Sequence, residues 1–213
     1  MERLAWDGVD SQGRGCGIRP GEFFIMDWQE RYETGDTPWD EGGPHPALTD
    51  YVAEAGPFAG RILVPGCGRG YEVRAVSTAE NQVTGLDIAP AAIAGARAFP
   101  RTGREEYIAA DLFDLPADFR GAFDWVIEHT CFCAIEPERR AAYAAAAAGA
   151  LKPGGLLFGI FYLEPAVERR PPYGVTVAEL DRLFSAFAPV REWTPGATFE
   201  GRGKELVRIL KKS

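Results

Sequence analysis

Residues 61–87 read RILVPGCGRGYEVRAVSTAENQVTGLD. An apolar stretch at 61–65 runs into Gly66-Cys67-Gly68-Arg69-Gly70, a helical stretch follows, and a second apolar stretch closes on Asp87. Strand, glycine turn, helix and strand make the plan of a nucleotide half-site. Gly66, Gly68 and Gly70 let the backbone turn sharply and approach a ligand, because no Cβ stands in the way. The carboxylate that ends the second strand can accept hydrogen bonds from ribose hydroxyls.

Two ligand classes fit that plan: a dinucleotide such as NAD or FAD, and S-adenosylmethionine. Dinucleotide loops follow Gly-x-Gly-x-x-Gly. Here the third glycine comes one residue early and Tyr71 takes the sixth position. S-adenosylmethionine carries no diphosphate, so a loop with other spacing can hold it.

Outward from this unit the chain alternates. Strands are predicted at 61–65, 82–87, 106–110, 123–128 and 156–161, with helices at 70–80, 89–98 and 137–151. Pro137 near the first turn and Gly154 past the end suit the third helix. Thr176-x-x-Glu179 is a capping box for another helix. Two further strands, 190–194 and 204–211, have no helix between them, so they should pair as antiparallel neighbours. The expected fold is α/β and Rossmann-like: a seven-stranded, mostly parallel sheet with a C-terminal antiparallel hairpin and helices on both faces.

Upstream, residues 1–20 are rich in Gly and Arg and show no period; they read as a tail, leaving 21–213 as one domain. Asp27 can cap a short helix with Glu30 three residues on. Trp28 and Tyr32 then share one helical face, Gly35 ends the helix, and Pro44 and Pro46 precede another. Residues 21–45 are read as an aromatic lid.

The 213 residues carry a net charge of -8. Phosphate backbones would be repelled on average, which argues against a nucleic-acid partner. No apolar run reaches the ~18–20 residues that span a bilayer, and the N-terminus lacks a secretory pattern; a cytoplasmic protein with no membrane partner is expected. Cys16, Cys67, Cys131 and Cys133 form no CxxC pair, and His45 and His129 are the only histidines. No standard zinc spacing results, so no metal is expected. His45, between two prolines, reads as a surface residue.

In an open parallel sheet the ligand sits outside the carboxyl ends of the strands. Those ends carry the glycine loop, then Asp87 and Ile88, then Asp111 and Leu112, then Glu128, His129 and Thr130. Three acids on one rim suit ribose hydroxyls, an exocyclic amine and an ammonium group. A pyrophosphate would meet them as anion against anion, so charge favours S-adenosylmethionine.

The order of glycine loop, Leu-Asp-Ile, Ala-Asp-Leu and Leu-Lys-Pro-Gly-Gly (151–155) resembles the class I S-adenosylmethionine-dependent methyltransferases. More narrowly, the chain resembles the thiopurine methyltransferase family in its halide and thiol branch. Trp28-x3-Tyr32-x6-Trp39-Asp40, Val64-Pro65-Gly66-Cys67-Gly68, 128–135 (EHTCFCAI) and Pro171-Pro172-Tyr173 carry that likeness. The resemblance implies that Trp28 and Trp39 close over the cofactor, with Tyr32 where relatives often have another tryptophan. It assigns Gly66 to the methionine part, Asp87 to the ribose, and Asp111 and Leu112 to the adenine. Gly68, Ile88 and Glu128 complete the expected cofactor set. His129 falls where plant relatives commonly have tyrosine, which leaves it as cofactor contact, substrate contact or proton acceptor. Arg169 and Arg170 replace glycines of plant relatives.

The expected activity is methyl transfer to a small acceptor, a thiol, hydrosulfide or halide, with a thiopurine or tellurite as the alternative. A dinucleotide-dependent reductase and a cofactor-binding sensor are the rivals. His129 and Tyr173 are the candidate catalytic residues. Phe24, Trp28, Phe132, Phe161 and Tyr173 are expected to wall the acceptor, with few charges facing in. The oligomeric state is left open and a monomer is compatible with the sequence.

Overall fold

The computed structural model describes residues 26–165 and 171–213. The expected tail, Cys16, Phe24, Arg169 and Arg170 lie outside the described residues. Seven strands form one sheet: β1 (Arg61–Pro65), β2 (Gln82–Asp87), β3 (Glu105–Ala109), β4 (Phe123–His129), β5 (Leu151–Pro165), β6 (Phe187–Trp193) and β7 (Gly203–Lys212). Their spatial order is β3-β2-β1-β4-β5-β7-β6. Pairs among β1 to β5 are parallel, while β7 runs antiparallel to both β5 and β6. The last two strands therefore pair as a hairpin, as the missing helix between them required.

The helices are α1 (Trp28–Thr34), α2 (Pro46–Ala55), α3 (Tyr71–Val76), α4 (Pro90–Arg97), α5 (Arg140–Ala150) and α6 (Val177–Leu183). Strand residues alternate between two cores. Leu63, Val126, Leu157 and Phe161 point to one face, with Tyr143 and Ala147 of α5 and Leu180 of α6. Ile62, Val64, Ile127 and Ile160 point to the other, with Leu48 of α2, Val73 of α3 and Ile93 of α4. Helices thus cover both faces.

Boundaries shift where local rules gave way to packing. α3 is shorter than the expected 70–80, because Ser77 turns extended (φ -76°, ψ 135°) and donates from its hydroxyl to buried Glu105 at 2.7 Å. β5 is much longer than 156–161, because β7 pairs with it from Leu156 to Pro165. Strand order reverses between β1 and β4, which flank one another, so the crevice for a ligand opens there.

Candidate active site

A cavity of about 520 Å³ opens over the carboxyl ends of β1, β2, β3 and β4. That volume lies in the range of about 300–1,000 Å³ usual for small-molecule sites. One end is built by contiguous sequence. Gly66 and Gly68 hold φ of 58° and 52°. A Cβ on Gly66 would come within 2.7 Å of the Cys131 side chain, and one on Gly68 within 2.7 Å of the Tyr32 hydroxyl. The loop is therefore closed to any larger residue. Asp87 fixes it: Gly68 N–H donates to Oδ2 and Ala89 N–H to Oδ1, each at 2.9 Å. Burial pushes the Asp87 carboxyl above its usual pKa, against the pull of those donors.

Ile88, Asp111 and Leu112 continue this rim. Ile88 is exposed. Asp111 also caps a 3-10 turn, accepting from Phe113 N–H at 2.8 Å. Glu128 departs from expectation. It is fully buried and its carboxylate accepts from Phe132 N–H at 2.7 Å and from the Tyr143 hydroxyl. Its work is to hold the turn after β4, and burial raises its pKa to about 7.

The aromatic segment folds over the loop. Trp28 and Trp39 meet edge to face at 5.2 Å, Tyr32 and Trp39 at 5.7 Å, and the Trp39 indole N–H donates to the Tyr32 hydroxyl at 3.1 Å. None of the α1 residues is fully buried. Two arginines hold the segment down: Arg69 pairs with Asp40 at 3.1 Å, and Arg202 with Glu41 at 3.2 Å.

The other end of the cavity comes from distant segments. His129, Thr130, Cys133, Tyr162, Phe199 and Arg202 line it, together with Glu72. Thr130 sits at φ 66°, a costly conformation for a β-branched residue, and its hydroxyl donates to the His129 carbonyl at 2.6 Å. His129 Nδ1 lies 2.8 Å from Glu72 Oε1, which also accepts from His45 N–H at 3.2 Å. Burial acts to raise the Glu72 pKa, but His129 and backbone donors outweigh it and hold the carboxyl below its ordinary value. For His129, burial lowers the pKa and outweighs Glu72, with Arg202 and His45 adding to the fall. At neutral pH the pair is a carboxylate and a neutral imidazole. Nδ1 carries the proton, and Nε2 keeps a bare lone pair, buried and without a hydrogen-bond partner among the described residues.

His45 is fully buried, not a surface residue. Its Nδ1 caps α2 by accepting from Ala47 N–H at 3.1 Å, so Nε2 carries the proton and donates to Glu205 Oε2 at 2.9 Å. His45, His129 and Glu205 come within 4.8 Å of one another, close enough to suggest a cation site. The His45 lone pair is already given to Ala47, however, and its other nitrogen holds a proton. The donor set suits a hydrogen-bonded network and not a metal.

The expected acceptor wall is redrawn. Phe132 and Phe161 belong to the core, 5.5 Å apart and 1% exposed each. They lie inward because Glu128 draws the 131–133 turn down onto α5. At the 171–173 segment, Pro171 and Pro172 line the cavity. Tyr173 is fixed by its backbone: its N–H donates to Cys133 O at 2.7 Å, and its carbonyl accepts from Arg140 at 3.0 Å. Charges do face the cavity, in Glu41, Glu72, Arg139 and Arg202. Sequence reasoning missed Glu72, His45, Glu205 and Arg202. Only Glu72 left a signal, as an acid in the first turn after the glycine loop. Among the described cysteines, burial pushes the Cys133 thiol up to about 12 and those of Cys67 and Cys131 well above their usual value, which disfavours the nucleophilic thiolate.

The profile described as thiopurine S-methyltransferase (TPMT) matches residues 25–211. A probable thiol methyltransferase 2 of Arabidopsis thaliana is 36% identical over 163 residues, covering 73% of this chain and 70% of that protein. A thiocyanate methyltransferase 1 of Brassica oleracea is 36% identical over 192 residues, covering 87% and 84%. Among solved structures, Burkholderia thailandensis 1,6-didemethyltoxoflavin-N1-methyltransferase with bound S-adenosylhomocysteine gives a TM-score of 0.67 at 22% identity, over 86% of this chain and 84% of its own. At that identity the likeness bears on the fold alone.

Proposed function

This chain belongs to the thiopurine S-methyltransferase family, and from that premise we propose that it methylates a small soft nucleophile, a thiol or hydrosulfide first and a halide second, with S-adenosylmethionine as donor. The carrying observation is one cavity with two unlike ends. At the first, the glycine loop and Asp87 form a cradle in which a Cβ at Gly66 or Gly68 would collide with Cys131 or Tyr32, and Asp87 is anchored to offer carboxylate oxygens to ribose hydroxyls. Asp111, Leu112 and Ile88 are the proposed adenine contacts, and Trp28, Tyr32 and Trp39 the cover. When bound, S-adenosylmethionine supplies a methyl group on a cationic sulfur. Indole faces attract such a cation by about 0.5–2 kcal/mol, and a closed cover excludes competing water.

At the second end, His129, Tyr162, Phe199 and Cys133 surround the acceptor's place. Arg202 is the cation at this end, so a strongly hydrated anion would find few partners there, and burying one with few partners is costly. Positioning in line with the methyl supplies most of the rate. Tyr173 orients the 171–173 wall through its backbone bonds. The fold also appears in enzymes that methylate nitrogen, so the acceptor must be tested directly. Calorimetry should give S-adenosylhomocysteine binding and no NADH binding. An acceptor panel should rank hydrosulfide, small thiols and iodide above chloride, alcohols and carboxylates. Preference for alcohols or amines would overturn the reading of the acceptor and leave the family standing.

A further inference from the structure

We infer that Glu72 is a positioning residue that fixes His129 as the proton acceptor for an S–H acceptor, so that the site favours thiols that arrive protonated over halides. The inference rests on the methyl-transfer reading above. Its observations are geometric. Glu72 Oε1 lies 2.8 Å from His129 Nδ1 and is itself fixed by His45 N–H. Both side chains are nearly buried, at 11% and 6% exposure. A carboxylate accepts and cannot donate, so the imidazole proton sits on Nδ1 and the lone pair on Nε2. That nitrogen has no hydrogen-bond partner among the described residues, in a residue that lines the cavity. A buried acceptor without a donor is unusual in a folded protein and fits a donor that arrives with the substrate. Carboxylate, imidazole and substrate proton in line is the arrangement that directs a histidine base in other enzymes.

The proton step balances on these residues. The acceptor's S–H bond breaks and its electron pair stays on sulfur. The proton forms a bond to His129 Nε2, leaving a thiolate and an imidazolium. The Glu72 carboxylate stabilises that imidazolium, and the proton passes to water when product leaves. Groups facing His129 are Glu72 of α3, His45 at the start of α2, and Arg202 and Glu205 of the loop and strand at β7. Burial, His45 and Arg202 hold the imidazole neutral, which keeps the lone pair available at neutral pH; Glu72 keeps it basic enough to use. A halide brings no proton and gains nothing from this arrangement.

The test compares wild type, Glu72→Gln and Glu72→Asp with two acceptors, an alkanethiol protonated at neutral pH and an arylthiol already ionised. The His129 ring is followed by nitrogen NMR in the apo protein. Glu72→Gln should cut alkanethiol turnover by about tenfold or more and arylthiol turnover far less, with S-adenosylhomocysteine affinity unchanged. Losing the negative charge lowers the His129 pKa, so the acidic limb of the alkanethiol profile and the NMR titration should both move to lower pH. Glu72→Asp should restore part of the rate. Equal losses for both thiols, a parallel loss of S-adenosylhomocysteine affinity, or an unmoved His129 titration would make Glu72 merely structural and overturn the inference. Failure of the wild type to methylate either thiol would overturn the functional reading itself, and this inference with it.

Discussion

The two ends of the cavity are built by opposite strategies. The glycine-loop end comes from one run of chain, where Gly66, Gly68 and Asp87 lie within 22 positions and the longest bond, Gly68 to Asp87, spans 19 residues. The His129 end is assembled across the molecule: Glu72 and His129 are 57 positions apart, and His45 and Glu205 are 160 apart. A contiguous site can be read from spacing, because turn geometry is local. A site closed by long-range pairs exists only once the sheet order brings β4, β5 and β7 together. In the function proposed above, the contiguous end holds the methyl donor and the assembled end selects the acceptor.

If that division is real, damage to the assembled end should cost stability first. Glu205→Ala leaves the buried His45 N–H without its acceptor and should destabilise the fold by about 1–3 kcal/mol in urea unfolding. A loss below about 1 kcal/mol would mean the network is not holding that end together. Glu128 offers a second probe on the same side. Its folded pKa of about 7 stands above the ordinary 4.5 of a glutamate, so the folded state binds the extra proton between those values. Its stabilising contribution is full below about pH 4.5 and is lost as pH rises towards 7. Relative to wild type, Glu128→Gln should therefore gain stability across that window, by about 3 kcal/mol in all. A flat difference would show that Glu128 is not buried as a neutral acid.

At the contiguous end, the effects should appear in affinity and not in folding. Asp87→Ala should weaken S-adenosylhomocysteine binding by about 1.5–3 kcal/mol in calorimetry, the range for a hydrogen bond to a charged group. Unchanged affinity with an intact fold would break the assignment of this end to the cofactor. The cover should respond more modestly. Amides of 28–40 should exchange about tenfold more slowly with S-adenosylhomocysteine bound, since α1 lies on the loop through Trp28, Tyr32 and Trp39. Equal protection in both states would make it ordinary core.

The sequence carried the sheet, both helical layers and the hairpin, because strand-helix alternation and a missing crossover leave few topologies. It also carried the glycine loop, Asp87 and Asp111, whose positions follow from strand ends. It misread His45 as a surface residue from its flanking prolines, whereas the imidazole is buried, caps α2 and reaches Glu205. Phe132 and Glu128 were misread because both occupy a motif that resembles a site; only the fold shows that Glu128 turns inward to Phe132 N–H and Tyr143. Glu72 and Arg202 could not be found by period or motif, because their meaning lies in contacts with residues far along the chain.

The central claim is that donor and acceptor meet between these two ends. Initial rates of thiol methylation over a grid of S-adenosylmethionine and thiol concentrations, for wild type, Asp87→Ala and His129→Phe, test it most directly. The account predicts a methyl thioether formed in step with S-adenosylhomocysteine, with Asp87→Ala raising KM for the donor and His129→Phe lowering kcat for the thiol. No thioether in the wild type, or the same parameter changed in both variants, would contradict it.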